Sequence, residues 1–401
     1  MTIEHSRPFR VGMGAGLFLI TSVAFLRAPL LPDIGRDLGL TALGLGAIGS
    51  AFALGRLAAD FPAGNITDRT RPGIMMATAA LIVAAGSLIF GLAPVAFVVF
   101  IAAFAMGIGS TWTLTGSMAF FARAPRVRRG MSMSFFAAAL LAGQAVGPAV
   151  GGLAGAVWDW RVAMVAGAIL VAAVAPLFLR NPGSAPESDP DATTAASTPS
   201  PPRLTLAVIY LLPAVQFSIG AALIQTLVPI VADDELGLGP ATVGLALGLG
   251  GVARVVGAVV AGRVSDTQGR RWALIPGLVM QTGGLAIFAI VSGALAWWVS
   301  ILALTLGSVA VNVGTTMLAD LTEQGGLGRH LGAFRFTGDL AFLITPIVSG
   351  ALYEVGGRTV GTLPVLALAA LTTLAALLWL PETLDHAATS AARRTGGSPD
   401  G

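Results

Sequence analysis

Twelve apolar runs, each long enough to cross a bilayer, recur from one end of this chain to the other. They fall at 9–31, 42–63, 73–93, 95–119, 133–157, 161–180, 204–231, 241–261, 272–293, 296–319, 332–353 and 360–380. Lipid offers no partner for backbone N–H and C=O groups, so such runs close their hydrogen bonds internally, as helices. Charged residues are 11% of the chain, against about 25% in soluble domains. Most connections are a few residues long and leave no room for a soluble domain. The expected fold class is an all-α membrane protein of twelve transmembrane helices.

The runs are duplicated. The stretch from Arg254 to Arg271 carries Gly262 and Asp266 at the end of an apolar segment, then Gly269, Arg270 and Arg271. Subtracting 198 from those numbers returns Arg56, Gly64, Asp68 and, just after, Arg69 and Arg71. Arginine and aspartate are rare here, so their recurrence inside apolar runs is informative. The same offset pairs Leu38-Gly39-Leu40 with Leu236-Gly237-Leu238, Pro148 with Pro346 and Gly152 with Gly350. Six spans are an even number, so the halves share one orientation, as parallel repeats do. Residues 1–180 and 204–380 form the expected six-helix bundles. A flexible, proline-rich cytoplasmic linker at 181–203 joins them, and a disordered cytoplasmic tail follows from 381 to 401.

All 23 basic residues are arginine, and the membrane rather than nucleic acid explains where they stand. With the N-terminus inside, sixteen lie in cytoplasmic segments and three outside (Arg36, Arg161 and Arg358). That asymmetry places both termini in the cytoplasm by the positive-inside rule. The first run carries Arg27 and lacks a cleavage site, so it reads as a helix and not a signal peptide. Cysteine is absent, which excludes disulfides and thiolate metal sites. His5, His330 and His386 lie in tails or a loop, and no HExxH or GxSxG occurs. Neither an enzyme, a cofactor nor a metal is expected. Gly248-Leu249-Gly250 lies inside a helix with no strand before it, so it is packing rather than a nucleotide loop.

These residues resemble the major facilitator superfamily over nearly the whole chain. The family's loop between helices 2 and 3 reads Gly-x-x-x-Asp-Arg-x-Gly-Arg-Arg. The first copy here keeps Gly64, Asp68 and Arg69 but departs at Arg71, Pro72 and Gly73. The second keeps Gly262, Asp266, Gly269, Arg270 and Arg271, with Thr267 where the arginine would be. The resemblance implies two pseudo-symmetric bundles around a cavity open alternately to each side, with these loops steadying one conformation. It also implies a multi-pass protein of the cytoplasmic membrane, acting as a monomer on a small molecule.

In the fifth span, Gly143, Gly147, Gly151 and Gly155 recur every four residues and form one smooth stripe for a close helix neighbour. Pro148 removes a backbone donor and should kink that helix. Gly143, Gly147, Pro148, Gly151 and Gly152 together resemble the signature of exporters that exchange substrate for protons. Ala103, four residues before Gly107, stands where many such exporters have an arginine.

A charge at mid-bilayer costs about 2.5–3.5 kcal/mol, so one that is kept is paired or functional. Arg56 and Asp60 share one helix face in the second span, as do Arg335 and Asp339 in the eleventh. The resemblance implies that these spans meet across the halves, setting Arg56 against Asp339 and Asp60 against Arg335. The alternative is that each pair satisfies itself within its helix. The repeat lacks this network, since Ala258 and Leu141 replace Asp60 and Asp339. Asp60 and Asp339 are the deepest acids and the expected proton carriers. Arg27 faces either the cavity or, by snorkelling, the outer interface. Gln225, its repeat mate, with Trp112 and Asn312, completes the cavity candidates.

The expected function is proton-coupled export of a small organic molecule, such as a drug or a secreted metabolite. The rivals are a proton-coupled importer of a sugar or organic acid and, from another class, a non-transporting receptor or sensor. The proton gradient is the expected energy source.

Overall fold

The computed structural model describes residues 7–122, 126–179, 202–322 and 327–383. Linker residues 181–201, the tail from 384 on and the side chains of Gly64, Asp68 and Arg69 lie outside the described residues. The described chain is helical, with no strand.

The first ten spans are α1 (Val11–Leu38), α2 (Ala42–Arg69), α3 (Pro72–Gly91), α4 (Ala96–Ala122), α5 (Arg126–Val157), α6 (Trp160–Leu179), α7 (Arg203–Asp234), α8 (Pro240–Thr267), α9 (Arg270–Ile290) and α10 (Ala294–Leu321). The helical stretch Leu327–Trp379 has 53 residues. As one rod it would be about 80 Å long, far beyond a bilayer core of about 30 Å. It turns back where Gly356 (φ −145°) and Gly357 (φ 65°) leave helical geometry, which gives α11 (327–355) and α12 (358–379). Twelve spans form two six-helix bundles.

Two spans are irregular at matching places. α1 leaves α-helical geometry after Phe25 and passes through a tighter turn at Ala28–Leu30. Pro29 and Pro32 supply no N–H to the carbonyls four residues earlier, so the regular ladder cannot continue there. α7 instead widens into a π-helix over Ile219–Leu227. Both spans end on glycines in the left-handed region, Gly39 (φ 64°) and Gly237 (φ 62°). The Leu-Gly-Leu repeat therefore marks two helix C-caps that a side chain would strain.

The glycine stripe of α5 packs on α1. Added Cβ atoms at Gly147 and Gly151 would lie 2.3 and 2.1 Å from the carbonyl oxygens of Ser22 and Leu26. At Gly143 and Gly155 they would strike Phe18 or Thr21 and Leu30. The stripe meets a four-residue stripe on its neighbour, and this fixes α1 against α5.

Between the halves, α2 crosses α11 and α5 crosses α8. A Cβ at Gly46 would sit 2.2 Å from the Pro346 oxygen, and one at Gly244 would sit 2.5 Å from the Pro148 oxygen. A Cβ at Gly350 would lie 2.4 Å from the Ala42 oxygen, and one at Gly152 would lie 2.2 Å from that of Pro240. Each contact of one seam is the other's contact displaced by the sequence repeat. Both seams lie toward the face opposite the chain termini.

Burial follows the same division. On that opposite side one apolar core draws on both halves, including Leu30, Ile48, Phe90, Leu227, Val243 and Trp297. On the terminal side each half keeps its own core. One gathers around Met13, Leu17, Met76, Phe121 and Phe178, the other around Ile209, Leu274, Met317 and Ala376. The halves are joined at one face and have separate interiors at the other.

Candidate functional site

A cavity of about 260 Å³ lies between the bundles, with an adjoining recess of about 100 Å³. Both are bounded by Phe25, Gln144, Gln216, Gly220, Gln225 and Arg254. Walls come from α1, α2, α4, α5, α7, α8, α10 and α11, while α3, α6, α9 and α12 contribute none. Gly220 and Gln225 belong to the π-helix of α7, whose wider turn sets them on the wall. Such local widening often marks a functional site.

The charges of α2 and α11 meet across the halves. Arg56 Nη2 donates to Asp339 Oδ1 at 3.0 Å, and Nε reaches the same oxygen at 3.3 Å. One turn toward the terminal face, Arg335 Nη2 lies 3.4 Å from Asp60 Oδ1. The two pairs differ in setting. Side-chain exposure is 13% and 3% for Arg56 and Asp339, but 46% and 25% for Arg335 and Asp60. The buried pair is the one whose loss is costly, about 3–5 kcal/mol if a single partner is removed. The open pair contributes about 1 kcal/mol or less. Phe217 and Phe342, their ring centroids 6.1 Å apart, lie together beside the Arg56 guanidinium at 5.6 and 5.7 Å. Gly107 brings α4 against this part of α2, since a Cβ there would lie 2.0 Å from the Phe52 oxygen.

Arg254, the repeat mate of Arg56, has no carboxylate within ion-pair distance among the described residues; its Nη1 donates to Gln144 Oε1 at 3.0 Å. Gln216 accepts from Gln281 Nε2 at 2.7 Å. Gln144 and Gln216 go unnoticed in the sequence because an amide on an apolar helix resembles ordinary packing. Arg254 stands out only as the unmatched half of the repeat.

Among the other cavity candidates, Gln225 lines the wall, but Arg27, Trp112 and Asn312 do not. Arg27 is 3% exposed, so it neither faces the cavity nor snorkels to an interface. Its Nη1 donates to Ala24 O at 2.7 Å, and its guanidinium lies 4.4 Å from the Phe52 ring centroid. The break in α1 carries it into the shared core. Trp112 Nε1 is buried without an acceptor. Asn312 borders a separate recess of about 160 Å³ beside Gly262, Asp266 and Arg270.

The expected gate loops begin as helix. α2 runs through Arg69 and α8 through Thr267, so Gly262 and Asp266 lie on a terminal helical turn. Arg270 pairs with Asp266 and with Asp320, the latter at 3.1 Å. The acid at the adjacent helix N-terminus is Glu382 rather than Asp266. Its carboxylate accepts the backbone N–H groups of Arg270 at 2.7 Å and Arg271 at 3.1 Å. Composition assigns Glu382 to the tail, yet it anchors the start of α9. Arg271 Nη2 also reaches the Leu377 oxygen at 2.9 Å, so all these contacts stay within the second half.

The opposite face carries charges that motif reasoning passes over. Arg36 at the end of α1 bridges Asp33 and, across the halves, Asp233 of α7. Glu354 of α11 accepts the Leu43 N–H at the start of α2, at 2.7 Å.

A family model described as Major Facilitator Superfamily matches residues 13–223 and again 211–399. Multidrug resistance protein 1 of Bacillus subtilis (strain 168) is 24% identical over 371 residues, covering 88% of this chain and 90% of that protein. The chloramphenicol resistance protein of Streptomyces lividans is 28% identical over 329 residues, covering 77% and 80%. Among solved structures, a bacterial homolog of the human lysosomal transporter Spinster, in an inward-facing and occupied conformation, superposes with a TM-score of 0.74. That match has 14% identity and covers 97% of this chain and 98% of the other. Two half-length matches to one family, on two bundles related by one repeat, mean that the chain belongs to the Major Facilitator Superfamily of membrane transporters.

Proposed function

We propose that this transporter exports a small organic molecule in exchange for protons, by alternating access. One observation carries the reading. A central cavity lies between halves that share a core at one face and have separate cores at the other. Rocking about the cavity would exchange which face is joined, as in parallel-repeat transporters. The excess of arginine on the terminal side supports that side as cytoplasmic. The resistance proteins among the relatives support export and drug-like cargo.

Asp339 is the proposed proton carrier. As an anion it holds Arg56 and ties α2 to α11. A proton on it removes the charge and leaves a buried guanidinium uncompensated. Separation of α2 from α11, which admits water to Arg56, then becomes favourable. Asp60 and Arg335 are the nearest other charged groups on the two packed helices, and their exposed pair follows the same motion at little cost.

Inverted membrane vesicles test the proposal. With an acid interior, vesicles containing this protein should accumulate a substrate dye such as ethidium, or chloramphenicol or an acidic aromatic drug. Collapse of the pH gradient should abolish uptake. Gradient-driven loss from the vesicles would make the protein an importer, and movement of none of the three would remove the transport reading. Cysteines at Ser188 and Asp234 check the orientation. An impermeant thiol reagent applied to intact cells should label the second and spare the first.

A further inference from the structure

We propose that the cargo is an organic anion, its acidic group held by Arg254 together with amide N–H groups of Gln144 and Gln216. This rests on the transporter reading above and names the chemistry the cavity selects.

The only charged side chains on the walls of the cavity and its recess are arginines, Arg56 and Arg254; no acid lines either among the described residues. The two are not equivalent. Arg56 has Asp339 at 3.0 Å and two neighbouring aromatic rings, Phe217 and Phe342, beside it. Among the described residues Arg254 has one protein acceptor, the neutral Gln144 oxygen. The repeat explains the difference, because Leu141 occupies the position that Asp339 holds in the other half. A guanidinium in a low-dielectric site needs a counter-charge. Arg56 finds it in the protein, whereas Arg254 meets it only in a bound molecule.

The neighbouring amides reinforce this. A guanidinium only donates, so Gln144 must turn its oxygen to Arg254 and its NH₂ away. The Gln216 oxygen is likewise occupied, by Gln281, leaving its NH₂ free. Both residues line the cavity beside Arg254. Their N–H groups, with the unused guanidinium donors, suit a carboxylate, which accepts through two oxygens and binds arginine in a fork. Phe25, Leu247 and Leu304 line the recess as well, so an apolar body behind the acid is accommodated. A cation would be repelled by Arg254, and a neutral molecule would leave its charge uncompensated.

The test uses the purified full-length protein in lipid nanodiscs and isothermal titration. Benzoate, 2-naphthoate and biphenyl-4-carboxylate are each compared with the matching primary amide and benzylic-type amine. At least one carboxylate should bind, tenfold or more tighter than its amide and amine. Arg254→Gln should weaken that binding at least tenfold and Arg254→Lys less. Gln144→Leu, which keeps the charge but frees it from its orienting oxygen, should weaken it severalfold. Arg27→Met, remote from the wall, should leave it unchanged. Amides or amines binding as well as the acids, carboxylate binding indifferent to Arg254→Gln in folded protein, or no carboxylate binding would each overturn the proposal. Gradient-driven export of a neutral or cationic compound in the vesicle assay would refute anion selectivity while leaving the transporter reading intact.

Discussion

Arg56 and Asp339 stand 283 positions apart in the chain and 3.0 Å apart in the fold. One is fixed to the first half and the other to the second, so any motion of the halves at this level must stretch or break the pair. Asp339→Asn keeps the shape and removes the charge. Transport should then lose its dependence on the pH gradient and fall at least tenfold. Arg56→Asp or Asp339→Arg alone should be similarly poor, and the double exchange should recover severalfold over either. A double variant no better than the worse single one would mean that the pair does not act across the helices.

The seams make a second prediction. An alanine at Gly46 would place its Cβ 2.2 Å from the Pro346 oxygen, so the opposite face could close only with the backbones displaced. Ser50, one turn further along α2, is buried. A cysteine introduced there should react slowly with an impermeant thiol reagent and at least tenfold faster when Gly46→Ala is added. Equal labelling rates would show that the seam yields without opening.

Arg27 is a buried cation whose one carbonyl bond among the described residues is within its own helix, and it lies off the cavity wall. A buried charge without a counter-ion carries a desolvation cost that an apolar side chain of similar volume does not. Arg27→Met should retain transport and hold or raise the thermal midpoint of the purified protein. Abolished transport in the correctly inserted variant would give Arg27 a role that its present contacts do not contain.

Glu382→Ala should free the first two amides of α9. The cap is worth about 1 kcal/mol, enough to speed hydrogen exchange at Arg270 and Arg271 roughly fivefold. Exchange at Leu274, in the core of that half, should not change. Unaltered exchange at the two arginines would mean that another group caps the helix.

The crossing of α2 and α11 is legible in the sequence because charges are rare in apolar runs. Two opposite pairs at four-residue spacing leave few ways to be satisfied. The α5 stripe is legible for a similar reason, since four glycines in register have no side chain to show a neighbour but their absence. What composition hides is geometry that depends on a broken helix. A π-helix has no residue signature, so the place of Gln225 on the wall rests on tertiary structure alone. The prolines of α1 are visible, but the sideways step that takes Arg27 into the core is not. Glu382 follows the last apolar run in a polar segment, where only the proximity of α9 distinguishes it from the residues beyond. Trp112 and Asn312 show the converse, polar-tipped side chains on cavity helices that turn elsewhere.

The matched seams bear on how such a molecule came to exist. Gly46 rests on Pro346 and Gly244 on Pro148; Gly152 rests on Pro240 and Gly350 on Ala42. Shift either half by the repeat and every donor of space finds its receiver within a single six-span unit. Such a unit carries both sides of its own interface, as a protomer does in a two-fold dimer. Two identical copies, inserted in the same orientation, could close on one another through these contacts before any linker joined them. Asp339 has no counterpart in the first half. The acid proposed to couple the cycle therefore stands where the two halves have ceased to be alike.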